Sequence, residues 1–220
     1  MKILRIIVPG LVYHVTHRGN RREAVFFDDE DRQYYCHWLD HCAQQHALKI
    51  YAYCLMKNHV HLVVEPQRAG SIAGTIHGTH RRHALWINRR HQWSGHLWGN
   101  RYFSTPLDAA HFRHAVRYVE LNPVRAGIVQ TAASYLWSSA GEHCGLTTRS
   151  VRLSPAPFQE VTDWANWLET GLETGDETTL RRCTYTGRPA GSQVFAKALE
   201  LQLGRPLVPR LRGRPRLEIG

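Results

Sequence analysis

Two β-rich runs, LKIYAYCLM at 48–56 and HVHLVVE at 59–65, are parted only by Lys57-Asn58. A two-residue connection between such runs predicts a tight antiparallel hairpin. Side chains alternate across a strand, so Val60, Leu62 and Val64 share one face while His59 and His61 share the other. The apolar face is suited to packing helices. The opposite face carries two imidazoles with Cβ atoms within reach of one cation, and imidazole suits divalent transition metals. Taken alone, HVH is read more plainly as two sheet histidines satisfied by hydrogen bonds.

The flanking sequence supplies the layers. Residues 11–16 (LVYHVT) read as a strand closed by the turn signal Arg18-Gly19-Asn20. Residues 28–46 read as a helix capped by Asp28 or Asp29, with Tyr35, Leu39 and Cys42 at helical spacing. A second helix is expected over 71–90 with Ser71 as N-cap, and a fourth strand over about 100–105. Asp108 caps a third helix, which must end by Asn122 because Pro123 disfavours helical geometry in the residue before it. The order β-α-β-β-α-β-α predicts an α+β fold of the ferredoxin-like kind: an antiparallel-rich sheet with helices packed on it. A core domain is expected over 1–150, an acidic connecting segment over 151–180 and a basic, flexible tail over 181–220.

Charge divides the chain in the same way. The formal net charge is +10, which favours a polyanionic partner, nucleic acid first. With four lysines among 28 basic residues, the charge is carried mostly by arginine, whose planar fork matches phosphate and guanine. Residues 66–107 contain no acid, whereas 153–180 hold six acids and no Lys or Arg, and 181–220 carry a net +7. The tail repeats Gly-Arg-Pro at 187–189, 204–206 and 213–215. Arg212, Arg214 and Arg216 look like the core of a minor-groove hook. Deletion of 181–220 is expected to leave the core folded. Five cysteines without a CxxC pair point to reduced thiols in the cytosol. The apolar N-terminus lacks a cleavage signal and is expected to open the fold rather than to be a leader. No run reaches the roughly 18 apolar residues of a membrane span, so no membrane is expected as partner.

The third helix alters the reading of HVH. Tyr118 and Asn122, in RYVELNPVRAG, are four residues apart and share a helical face. If that face covers the histidines, a phenol, a carboxamide and two imidazoles converge. A tyrosine there could attack a phosphodiester, and a bound metal would polarise the phosphate and offset the transition-state charge.

HVH followed by a helix bearing YVELNPVRAG, together with YHVTHRGNRREAVFFDDED (13–31) and LWGNRYFSTPLD (97–108), resembles the REP-associated tyrosine transposases among the HUH single-tyrosine transposases. The resemblance spans about residues 8–140. It implies cleavage and rejoining of single-stranded DNA beside a REP-like hairpin through a 5′-phosphotyrosine intermediate, with Mg²⁺ or Mn²⁺. Carried onto this chain, it makes His59 and His61 metal ligands, Tyr118 the nucleophile and Asn122 a third ligand, standing where many relatives have Gln. Tyr102 is the alternative nucleophile. Arg18, Asn20, Arg21, Arg22, Arg81, Arg82, Arg89, Arg90 and Arg101 form the expected DNA surface with the three tail arginines. A hairpin-binding protein without catalysis is the alternative function. A bacterial, cytoplasmic, nucleoid-associated monomer is expected, with a dimer left open.

Overall fold

A computed structural model describes residues 7–147, 151–158, 160–170 and 174–207. Four strands, β1 (Tyr13–Arg18), β2 (Leu48–Met56), β3 (His59–Pro66) and β4 (Phe103–Pro106), form one antiparallel sheet in the order β2-β3-β1-β4. This is the expected α+β sandwich with helices packed on an antiparallel sheet.

Pleat alternation builds two cores. Tyr13 and Val15 of β1 with Val60, Leu62 and Val64 of β3 face α1 (Asp29–Gln45) and α2 (Ser71–His91). Asp28 caps α1 as expected, its carboxylate accepting the Asp31 N–H at 3.0 Å. Ser71 lies one residue inside α2, and its hydroxyl accepts the Arg68 N–H at 3.0 Å instead of capping. The opposite face carries Val63, Cys54 and Met56 against Phe112, Ala115, Val116 and Val119 of α3 (Ala109–Glu120). A register shift between Ile50 and Ala52 lets Tyr51 and Ala52 both join this second core before the alternation resumes.

Three short helices follow: α4 (Asn122–Arg125), α5 (Ala140–His143) and α6 (Trp164–Glu169). Two longer ones, α7 (Thr174–Thr186) and α8 (Gln193–Leu203), close the described chain. The basic segment after 180 is therefore not a flexible tail over its described part. Leu180, Cys183 and Ala190 are buried in the α3 core, and the Ala190 N–H donates to the Pro106 carbonyl at 2.9 Å. Two of the three Gly-Arg-Pro repeats are helix stops. Gly187 follows α7 at φ +67 and Gly204 ends α8 at φ +61, left-handed conformations that glycine adopts without a Cβ penalty. The proline two positions later cannot continue the helix. The third repeat, with Arg212, Arg214 and Arg216, lies outside the described residues. Among those described, no helix is long and apolar enough to cross a membrane.

Candidate active site

The register of β1 against β3 decides what meets at the imidazole face. Thr16 stands opposite His61 and Arg18 opposite His59. His14, Thr16 and Arg18 consequently share that face, and His14 becomes a diagonal neighbour of His61. Its ring lies nearly parallel to that of His61, at an interplanar angle of 4° with centroids 5.1 Å apart. Helix α3 lays Tyr118 across the same side, with its ring centroid 5.7 Å from that of His61 at an interplanar angle of 82°. α3 ends at Glu120, but Leu121 keeps a right-handed helical backbone, so Asn122 still lies one turn below Tyr118.

These groups line one cavity of about 630 Å³, with His59, His61, Tyr118 and Asn122 in its wall. Arg18, Arg22, Arg125 and Arg181 also line it, so the rim is strongly cationic and suited to phosphate. The Arg125 guanidinium lies 4.1 Å from the Tyr118 ring centroid and donates to the Tyr118 carbonyl at 2.6 Å. Arg181 Nε approaches the Tyr118 hydroxyl at 3.4 Å. Arg21 and Arg22 hold φ values of 53° and 66°, a left-handed conformation costing roughly 1–2 kcal/mol per residue. The Asn58 side chain clasps that turn by donating Nδ2–H to the Arg22 carbonyl at 2.7 Å.

The donor set fits a divalent cation. Burial and the nearby Arg18 push His59 down to about 4, and burial with neighbouring imidazoles and arginines holds His61 well below its ordinary range. Both rings are therefore neutral at physiological pH, the form that binds metal. Asn122 Nδ2 lies 3.1 Å from the Tyr118 carbonyl and 3.5 Å from that of Val119. The amide nitrogen must face those acceptors, which turns the oxygen to the other side. No group of three or more His, Cys, Asp or Glu side chains suited to a metal occurs among the described residues. Two imidazoles and a carboxamide would leave the remaining positions around a divalent cation to water or phosphate oxygen.

The remaining sequence candidates distribute differently. Tyr102 is buried in the α1–α2 core beside His17, away from the cavity. Arg90 closes an ion network with Asp28, Glu30 and Asp31 and lies over Trp86. Its charge is thus matched within the protein, which argues against a place in the DNA surface. Arg82 lies 4.3 Å from the Trp38 ring centroid. Asn20, Arg21, Arg81, Arg89 and Arg101 are exposed. Sequence reasoning misses His14, Arg125, Arg181 and Thr184. Strand alternation from Arg18 could have found His14, and helical spacing from Tyr118 could have found Arg125. Nothing local marks the two residues of α7.

A model of the IS200-like transposase family matches residues 7–122, more than half of the chain. The chain belongs to the IS200-like transposase family. Membership makes it a transposase-like DNA-processing protein. Among solved structures, the REP-associated tyrosine transposase bound to a REP hairpin aligns with a TM-score of 0.56 at 16% identity, over 72% of this chain and 95% of that one. At that identity the match bears on the fold. A candidate transposase of Deinococcus radiodurans R1 aligns with a TM-score of 0.38 at 25% identity, over 55% of this chain and 96% of that one. No curated protein matches the chain.

Proposed function

We propose that this IS200-like transposase family member cuts and rejoins single-stranded DNA beside an imperfect, REP-like hairpin, in the bacterial cytoplasm at the nucleoid. The observation that carries the reading is the meeting of Tyr118, His59, His61 and Asn122 in one arginine-rimmed cavity.

Tyr118 is the nucleophile. Its Oη–P bond forms as the P–O3′ bond breaks, giving a 5′-phosphotyrosine and a free 3′-OH. The phenol loses one proton and the leaving oxygen gains one, so the step is proton-neutral overall. Rejoining is the reverse attack by a 3′-OH. His59, His61 and Asn122 would hold Mg²⁺ or Mn²⁺. When bound, that ion would polarise the scissile phosphate and offset charge developing on it. Arg18, Arg22, Arg125 and Arg181 orient the phosphate, and Arg181 Nε also approaches the Tyr118 oxygen that attacks it. Asn20, Arg21, Arg81, Arg89 and Arg101 extend the surface for the hairpin.

A labelled hairpin oligonucleotide with a single-stranded flank tests this on a denaturing gel. Wild-type protein with Mn²⁺ is expected to give a slow-migrating covalent adduct, lost in EDTA and in His59→Ala and His61→Ala. Hairpin binding without an adduct would favour the non-catalytic alternative. An undiminished adduct in EDTA would contradict the metal site.

A further inference from the structure

We propose that Thr184 and Asn58 are positioning residues that set which nitrogen of each site imidazole carries the proton, Thr184 acting on His61 through His14. The proposal rests on the metal reading above, but concerns protons already in place before any ion binds.

Thr184 is buried on α7, and its hydroxyl donates to the Leu180 carbonyl at 2.7 Å, one turn back along the helix. A hydroxyl has a single proton. Toward His14 Nδ1, 2.9 Å away, the Thr184 oxygen can then only accept, so His14 Nδ1 bears hydrogen. His14 is almost fully buried, so it is held as the neutral ring with a lone pair on Nε2. That lone pair lies 2.9 Å from His61 Nδ1 and must accept from it. His61 therefore carries its proton on Nδ1 and presents a bare Nε2. Were Thr184 to donate to His14 instead, every proton in the chain would shift over, and His61 Nε2 would be blocked by hydrogen.

Asn58 reaches the same end by a different route. Its Nδ2 is committed to the Arg22 carbonyl at 2.7 Å, which fixes the amide orientation. Its Oδ1 then faces His59 Nδ1 at 2.7 Å and can only accept. His59 is likewise an Nδ1–H ring with a bare Nε2. Two independent relays thus produce the same tautomer in both rings, the one in which Nε2 is free to bind a cation. One relay begins on α7, beyond the matched residues 7–122, so the C-terminal helix is part of the site.

Nitrogen-15 spectra of the histidine rings distinguish protonated from bare nitrogen in the metal-free, full-length protein. His14, His59 and His61 are each expected to show Nδ1–H. Thr184→Val should shift His14 and His61 toward Nε2–H and leave His59 unchanged. Mn²⁺ affinity measured by calorimetry should fall by about ten- to a hundredfold, and Thr184→Ser should restore both. A wild-type His61 protonated on Nε2 would overturn the proposal, whether or not the Val variant folds. So would a Val variant that keeps the wild-type ring pattern and affinity. Failure of wild-type protein to bind Mn²⁺ would count against the metal reading, while the ring pattern would still decide the relays.

Discussion

Glu120 lies two residues after Tyr118 and is completely buried. Its carboxylate accepts the Ser139 hydroxyl at 2.5 Å and His143 Nδ1–H at 2.6 Å on one oxygen, and Trp164 Nε1–H at 2.7 Å on the other. These three bonds tie the tyrosine helix to the segment that follows it. Replacing Glu120 with Ala removes the acceptor of the half-buried His143 and Trp164 donors and leaves the buried Ser139 hydroxyl only the longer contact to the Tyr53 carbonyl at 3.4 Å. Leaving a buried donor without its acceptor costs roughly 1–3 kcal/mol, so losing this acceptor takes a large part of the 5–15 kcal/mol typical of a whole domain. Glu120→Gln keeps the shape but turns an amide N–H toward at least one of the donors, for a loss of about 1–3 kcal/mol. Urea unfolding at constant m-value reads both differences directly. Because the helix end carries Tyr118, adduct formation in the Gln variant should fall more than hairpin affinity. An Ala variant within about 1 kcal/mol of wild type would refute the argument that this network anchors the helix.

Two further outcomes follow from other parts of the molecule. Both ring nitrogens of His83 are buried without a hydrogen-bond partner among the described residues, and the ring packs among Phe26, Tyr35 and Trp98. His83→Leu should raise stability at pH 7 by about 1–3 kcal/mol. Burial holds folded His83 down at about 3, below its unfolded value near 6.5, so wild-type protein loses stability as pH falls from there toward 3. The variant lacks that loss, and its advantage should grow by about 1.6 kcal/mol between pH 6.5 and pH 5; a pH-independent difference in urea titrations would contradict this. Ending the chain after Leu207 should flatten the salt dependence of DNA binding, by roughly 0.7–0.9 in log–log slope for each phosphate the removed arginines neutralise. Ending it after Leu180 removes Cys183, Thr184 and Ala190 from the interior and should lower the thermal midpoint sharply; equal midpoints for the two truncations would show that α7 does not stabilise the core.

Local rules are legible where one element can be read by itself. The two-residue hairpin connection and the pleat alternation place His59 and His61 together on one face, and the four-residue spacing puts Asn122 beneath Tyr118. The charge pattern is more ambiguous. Arg90 reads as surface charge until α2 is seen against the start of α1, where three carboxylates meet it. The Gly-Arg-Pro repeats read as a basic motif because α7 and α8 have mixed, weakly patterned sequences. The role of the first two as helix ends shows only when Leu180, Cys183 and Ala190 are seen against α3. His14 and Thr184 are 170 residues apart, and no local spacing could have joined them.

The central claim is that Tyr118 forms the covalent bond to DNA. Mass spectrometry of peptides from the trapped adduct tests it most directly. The account predicts a nucleotide-modified peptide with the added mass on Tyr118, and none from Tyr118→Phe, which among the described residues gives up only the 3.4 Å approach of Arg181 to the hydroxyl and should fold normally. An adduct on Tyr102, or one that persists in Tyr118→Phe, would contradict it.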